Sequence, residues 1–114
     1  MTVGQRLEIP PGTLDMLILN TLARGGRLHG FEIAERILQI SEDALRVEEG
    51  SLYPALQRML VKGWLDGEWD RTADNRRARY YRLTPKGRRQ LAEQTNRWDE
   101  IVRAVNRILR PASE

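Results

Sequence analysis

The chain has 114 residues, 40% hydrophobic and 31% charged, enough for one domain with a modest core and an appendage. It has no cysteine, which excludes disulfides, thiolate metal sites and cysteine nucleophiles. The formal charge is only +3, yet between Arg71 and Arg89 eight basic residues stand against the single acid Asp74, a local +7 that leaves the remainder near −4. A basic total alone names no partner; its concentration in one stretch says more. No apolar run approaches the roughly 18 residues of a membrane span. The opening MTVGQRLEIPPG lacks a signal-peptide core, so a cytoplasmic protein with no membrane partner is expected.

Residues 1–11 read as an arm in which Leu7 and Ile9 pack down and Pro10-Pro11 stop any regular element. Thr13 is a good N-cap, and Leu14, Leu17, Ile18 and Leu22 repeat with helical spacing, predicting a central helix that ends at Gly25-Gly26. A second helix runs from about His29-Gly30 to Ile40, with Phe31, Ala34, Ile37 and Leu38 as its inner stripe. Ser41 caps a short turn, and Leu45-Arg46-Val47 is an extended piece suited to the edge of a small sheet.

The third helix, ending at Gly63, buries Leu52, Leu56, Met59 and Leu60 and leaves Gly50, Ser51, Pro54, Gln57 and Arg58 on a small, polar face. Pro54 lacks an amide hydrogen, so it belongs in the first turn, which puts the cap near Glu49 or Gly50. WLDGEWDR alternates Leu65 and Trp69 against Asp66, Glu68 and Asp70, and ARYYRLT resumes strand chemistry with Tyr81 and Leu83 toward the core. Between them TADNRR reads as a turn with Asp74-Asn75 at its tip, making a basic β-hairpin.

Thr84-Pro85 starts a last helix that runs to Arg110 before Pro111. Leu91, Trp98, Val102, Val105 and Leu109 fall on heptad positions, widened by Ile101 and Ile108, with Thr95 the polar exception. Twenty-five residues span about 37 Å, longer than the small domain before them. The distal stripe therefore needs a second surface, and a partner copy in a homodimer is the economical supplier.

Helix, helix, helix, hairpin, helix is the winged helix-turn-helix plan: mainly α with a small β-hairpin, followed by a long C-terminal dimerisation helix. The domains are then an arm (1–11), a winged helix-turn-helix domain (12–84) and a dimerisation helix (85–110). LHGFEIAERI (28–37), EEGSLYPALQRM (48–59), KGW (62–64) and NRRARYYRLTPKGRRQL (75–91) resemble the PadR-like transcriptional regulators, and the single C-terminal helix resembles the short members of that family. The resemblance covers residues 12 to about 109. It implies a dimeric DNA-binding regulator, usually a repressor, often relieved by a small molecule or a stress signal.

In winged-helix geometry the start of the third helix enters the major groove of double-stranded DNA. Ser51, Tyr53, Pro54, Gln57 and Arg58 then form the reading surface, where Gln suits adenine and Arg suits guanine. The plainer reading has Ser51 capping, Tyr53 packed on the hairpin, and Gln57 and Arg58 solvated. Arg76, Arg77 and Arg79 are expected on the backbone or in the minor groove, against the alternative of a solvated tip. His29, the only histidine, starts the second helix within reach of a phosphate; no partners assemble around it for a metal or for catalysis. Trp98 is either a core anchor of the dimer or a plate for a small hydrophobic or aromatic effector. No cofactor and no enzyme chemistry are called for. The rival class is a winged-helix module for protein–protein or RNA contact without operator specificity.

Overall fold

The computed structural model describes residues 7–110, so residues 1–6 of the expected arm and the helix stop at Pro111 lie outside it. The elements are α1 (Leu14–Gly25), β1 (Leu28–His29), α2 (Gly30–Ile40), α3 (Glu49–Val61), β2 (Leu65–Arg71), β3 (Arg77–Leu83) and α4 (Pro85–Leu109). The strands form one antiparallel sheet in the order β1-β3-β2, and α1 lies at the centre, touching α2, α3, α4 and β3. This is the winged helix-turn-helix architecture with its long final helix.

The core gathers Ile18, Leu19 and Leu22 of α1, Leu28 of β1, Ile33 and Ile37 of α2, and Leu52, Ala55, Leu56 and Met59 of α3. Leu65, Tyr81 and Leu83 close it from the sheet. Each fully buried aliphatic side chain stabilises the fold by about 1.5–3 kcal/mol, so these few residues dominate the apolar contribution. Gly25 is fixed by packing, because a Cβ there would sit 2.6 Å from Leu28 Cδ1; Gly26, at φ +79°, makes the turn itself.

Several local expectations are corrected. Thr13 stands at the N-cap of α1, but its hydroxyl donates to the Pro10 carbonyl oxygen at 2.6 Å and no helix amide bonds to it. Phe31 is 65% exposed; Gly30, Ile33 and Ile37 are the buried residues of α2, a stripe turned by one position from the one the sequence suggested and sharing Ile37 with it. Leu45 does not join the sheet. It forms an isolated parallel bridge to Leu7, and the sheet edge is taken by the two residues of β1, which pair with Tyr80 and Tyr81. The cap of α3 is Glu48, so Pro54 is the sixth helical residue, past the first turn. The missing amide leaves the Gly50 carbonyl without its i+4 donor on the exposed face, where water can satisfy it.

The hairpin register pairs Leu65 with Leu83, Gly67 with Tyr81, Trp69 with Arg79 and Arg71 with Arg77. Leu65 is buried, but Trp69 on the same face is 58% exposed, because the strands outrun the core beyond Gly67. The tip is closed by Thr72 and Arg76 and turns through Asn75 at φ +63°.

A backbone junction sets where α4 begins. The Thr84 hydroxyl donates to the Gly63 carbonyl oxygen at 2.7 Å and accepts from the Gly87 amide at 3.0 Å, while the Thr84 amide donates to the Trp64 carbonyl oxygen at 3.1 Å. A Cβ on Gly87 would overlap that Trp64 oxygen. Gly87→Ala should therefore lower unfolding stability by about 3 kcal/mol. Gly50→Ala, on a helix position with nothing within 4 Å, should be neutral or stabilising by up to about 1 kcal/mol. Urea midpoints distinguish the two, and equal shifts would contradict the packing argument.

Candidate nucleic-acid interface

The α3 helix presents Ser51, Tyr53, Pro54, Gln57 and Arg58 to solvent because Leu52, Ala55, Leu56 and Met59 take the opposite side into the core. A groove of about 900 Å³ runs between the start of α2, the outer side of α3 and the hairpin wing. His29, Tyr53, Gln57, Arg76, Arg77 and Arg79 all line it. Six of the nine residues expected at the interface are thus brought to one concavity; Ser51, Pro54 and Arg58 lie on the exposed face of α3 outside it.

Each position has a local cause. Tyr53 lies over Gly30: a Cβ at Gly30 would be 2.8 Å from the Tyr53 ring. His29 caps α2, its Nδ1 accepting from the Glu32 amide at 3.4 Å while the His29 amide donates to Glu32 Oε1 at 3.1 Å. An accepting Nδ1 leaves Nε2 as the N–H of the neutral ring. The imidazole also meets Tyr80 edge-on, with centroids 5.2 Å apart. Ser51 does not cap α3, since the N-cap is Glu48 and no side chain bonds there. Arg58 is not simply solvated; its guanidinium holds Asp15 of α1 at 2.6 Å.

The two faces of the wing carry opposite charge. Arg71, Arg77 and Arg79 share the face of Trp69, whereas Asp66, Glu68 and Asp70 alternate onto the other. There Arg27 bridges Glu68 and Asp70, each at 2.6 Å, and its guanidinium stacks 4.0 Å from the Tyr80 centroid. Arg82 adds a looser contact to Glu68 at 3.7 Å. The acids of β2 are thereby turned from the groove, and Glu68 and Asp70 are neutralised behind it. Asp70 and then Glu68 raise the Arg27 pKa above its ordinary value. The Asp70 carboxyl is held below the usual range, chiefly by the Arg71 amide and then by Arg27. Burial pushes the Tyr81 phenol up.

A polar-faced helix beside a groove with arginines on its wing, on this fold, now has relatives to be set against. Residues 18–93 match the family model of the transcriptional regulator PadR-like family. The chain belongs to that family. It is 36% identical over 83 residues to a transcriptional regulator of Mycobacterium tuberculosis, covering 73% of this chain and 74% of that protein. A transcriptional regulator of Clostridium thermocellum superposes with a TM-score of 0.77 at 26% identity, over 84% of this chain and 92% of that one. The fold is also that of Bacillus subtilis PadR, solved in complex with operator DNA: TM-score 0.65, 22% identity, 76% of this chain and 48% of that one. The PadR-like match contains α3, the wing and the Thr84–Gly87 junction, and stops before the distal stripe of α4.

Sequence reasoning missed Phe31, Trp69, Thr72 and Tyr80 as groove residues and Arg27 as the clamp behind the wing. For Phe31 the helical phase of Ile33 and Ile37 was the available signal. Arg27 had none, because its partners lie 41 and 43 residues away.

Because the folded Asp70 pKa lies below its unfolded value, its stabilising contribution is present above the ordinary carboxylate range and is lost as pH falls through the folded value. Amide exchange at Arg71 should accelerate, relative to the α1 core, as pH drops below about 4. Asp70→Asn should abolish that pH dependence, as followed by NMR; an Arg71 amide indifferent to acid would refute the assignment.

Proposed function

We propose that this chain is a homodimeric repressor that binds double-stranded DNA in a sequence-specific manner, with α3 in the major groove and the 72–79 wing on the backbone or in the minor groove. The carrying observation is that Tyr53 and Gln57 share one groove with Arg76, Arg77 and Arg79 while the β2 acids face away. The operator complex of Bacillus subtilis PadR supports the same use of a shared fold. Gln57 and Ser51 are the base readers, and Tyr53 and Pro54 shape the contact surface. His29 offers Nε2–H to a phosphate, and Arg58 exchanges Asp15 for a DNA acceptor. Such a protein works where the DNA is, in the cytoplasm.

The dimer reading rests on α4. Leu91 packs against the core, but Trp98, Ile101, Val105, Ile108 and Leu109 are 38–78% exposed, and Val102 is half-buried. This row of apolar side chains on a helix projecting past its own domain fits a second copy of the chain. Two-fold symmetry then implies a palindromic operator with half-sites about 34–36 Å apart. Trp98 also borders a groove of about 420 Å³ with Pro10, Met16, Gln94 and Ile101. A small hydrophobic or aromatic effector would fit there and relieve repression.

Fluorescence anisotropy on duplex from upstream of the coding region, against random duplex, tests the reading. Arg76→Glu with Arg77→Glu should weaken both duplexes by about tenfold or more and flatten the salt dependence. Gln57→Ala should reduce the preference between them by about five- to a hundredfold. Equal affinity for both duplexes in every variant would favour a winged-helix module for protein or RNA contact instead.

The dimer is checked separately by sedimentation. The parent should run at twice the 13.2 kDa chain mass, and Ile101→Glu with Val105→Glu should run at 13.2 kDa. A monomeric parent would remove the two-fold operator.

A further inference from the structure

Trp69 occupies an expensive place for a tryptophan. Alternation along β2 turns it toward the core side, yet the last core residue of that strand is Leu65 and the indole is 58% exposed. The groups recorded on the ring are guanidiniums. Arg77 Cζ lies 4.4 Å from the ring centroid and Arg79 Cζ 5.9 Å. Arg79 is the direct cross-strand partner of Trp69, and Arg77 is its diagonal neighbour two residues along. Gly67 completes the arrangement, since a Cβ there would sit 2.8 Å from Arg79 Nε and 3.3 Å from Leu60 Cδ2. The Arg79 stem therefore crosses the strand where there is no side chain to stop it.

The result is a pair of arginines with restricted freedom and unused donors. Arg79 Nε is packed over Gly67 and shut from solvent, so its free donors are the terminal nitrogens, and among the described residues neither Arg77 nor Arg79 has a carboxylate within ion-pair range. The β2 acids Glu68 and Asp70 are on the other face and already taken by Arg27, and Asp74 at the tip, which lines the same groove, is within ion-pair range of neither arginine. A cation–π contact uses the flat face of a guanidinium and leaves its N–H edge free, the edge that makes bidentate bonds to phosphate oxygens.

We propose that Trp69 and Gly67 are positioning residues, which set Arg77 and Arg79 in advance as an unpaired guanidinium pair for the nucleic-acid backbone. This rests on the DNA-binding reading above. Neither residue need touch a base, so they act on affinity for any duplex and not on sequence preference. The rotamer freedom that flexible arginines lose on binding is here removed during folding.

The test is binding of operator and random duplexes by the full chain carrying Trp69→Leu, Trp69→Tyr or Gly67→Ala, alone and with Arg77→Ala and Arg79→Ala together. Trp69→Leu should weaken both duplexes by about three- to tenfold without moving the thermal midpoint, and Trp69→Tyr, which keeps a ring, should recover most of the loss. Gly67→Ala should weaken both duplexes similarly by displacing Arg79. In the double-arginine variant Trp69→Leu should add nothing, because the groups it positions are gone. Parental affinity in Trp69→Leu, or the same fold loss with and without the arginines, overturns the proposal while the DNA-binding reading stands. A parent that binds no duplex overturns both.

Discussion

The junction between Gly63-Trp64 and Thr84-Gly87 fixes how the parts of this molecule are aimed. It joins the end of α3, the start of β2, the end of β3 and the start of α4 through backbone groups, with one threonine hydroxyl acting as donor to Gly63 and acceptor from Gly87. Backbone contacts at van der Waals range have little slack, and Gly87 admits no side chain. The angle between α3 and the wing, and the direction in which α4 leaves the domain, are set at one point. A rotation there would move the wing arginines relative to Gln57 and the α4 stripe relative to both. Gly63, at φ +77°, supplies the turn that lets α3 end directly into this contact.

With the frame set, the chemistry of the interface follows from strand alternation. A period of two sorts β2 into an acidic face and a face carrying Trp69, and in the antiparallel register it puts Arg77 and Arg79 beside the tryptophan. One hairpin thus carries both signs of charge within a few ångströms while keeping the acids of β2 out of the groove, where Asp74 at the tip is the wing's acid beside Arg76, Arg77 and Arg79. Arg27 is what makes the other face tolerable, bridging two carboxylates that would otherwise repel across one residue. At α3 the separation is less complete. Glu48 and Glu49 remain exposed at the start of the helix, where its dipole favours them, and Arg58 is held by Asp15. The helix therefore adds little net positive charge, and attraction to a polyanion rests on the wing.

Much of this was legible in the chain. The helices, the hairpin and its tip, the Thr84-Pro85 start and the burial of Leu52, Leu56 and Met59 followed from periodicity and capping chemistry, because those signals are local. The errors have physical causes. β1 is two residues long, too short for any period, and exists only because β3 offers Leu28 and His29 an edge. A helical stripe through Phe31, Ala34, Ile37 and Leu38 takes Phe31 inside, though Ile33 and Ile37 set a phase that puts it out. The lack of intrahelical partners for first-turn amides favours Pro54 there, whereas the carbonyl it leaves unpaired further along faces solvent. Trp69 shares a face with Leu65, but a shared face does not guarantee a shared core once the strands project past it. Arg58 is paired with a residue 43 positions away, which no window along the sequence reveals.

The wing beyond Gly67 has no aliphatic core; its backbone ladder is supported there by ionic and aromatic side-chain contacts. On one face Arg27 ties Glu68, Asp70 and the Tyr80 ring together; on the other Trp69 carries Arg77 and Arg79. Arg71 closes the tip by donating to the Asn75 carbonyl oxygen at 3.0 Å. Exposed ion pairs are each worth little and weaken as salt rises. Under the proposed function salt would act on this molecule twice, screening the attraction between arginine and phosphate and loosening the element that holds the arginines. Cation–π contacts resist screening better than ion pairs, since they draw on the ring quadrupole and on dispersion between flat surfaces. That difference gives Trp69 its physical rationale. Its hold on Arg77 and Arg79 persists, as does that of Tyr80 on Arg27, under conditions in which the ion pairs of Arg27 with Glu68 and Asp70 have weakened.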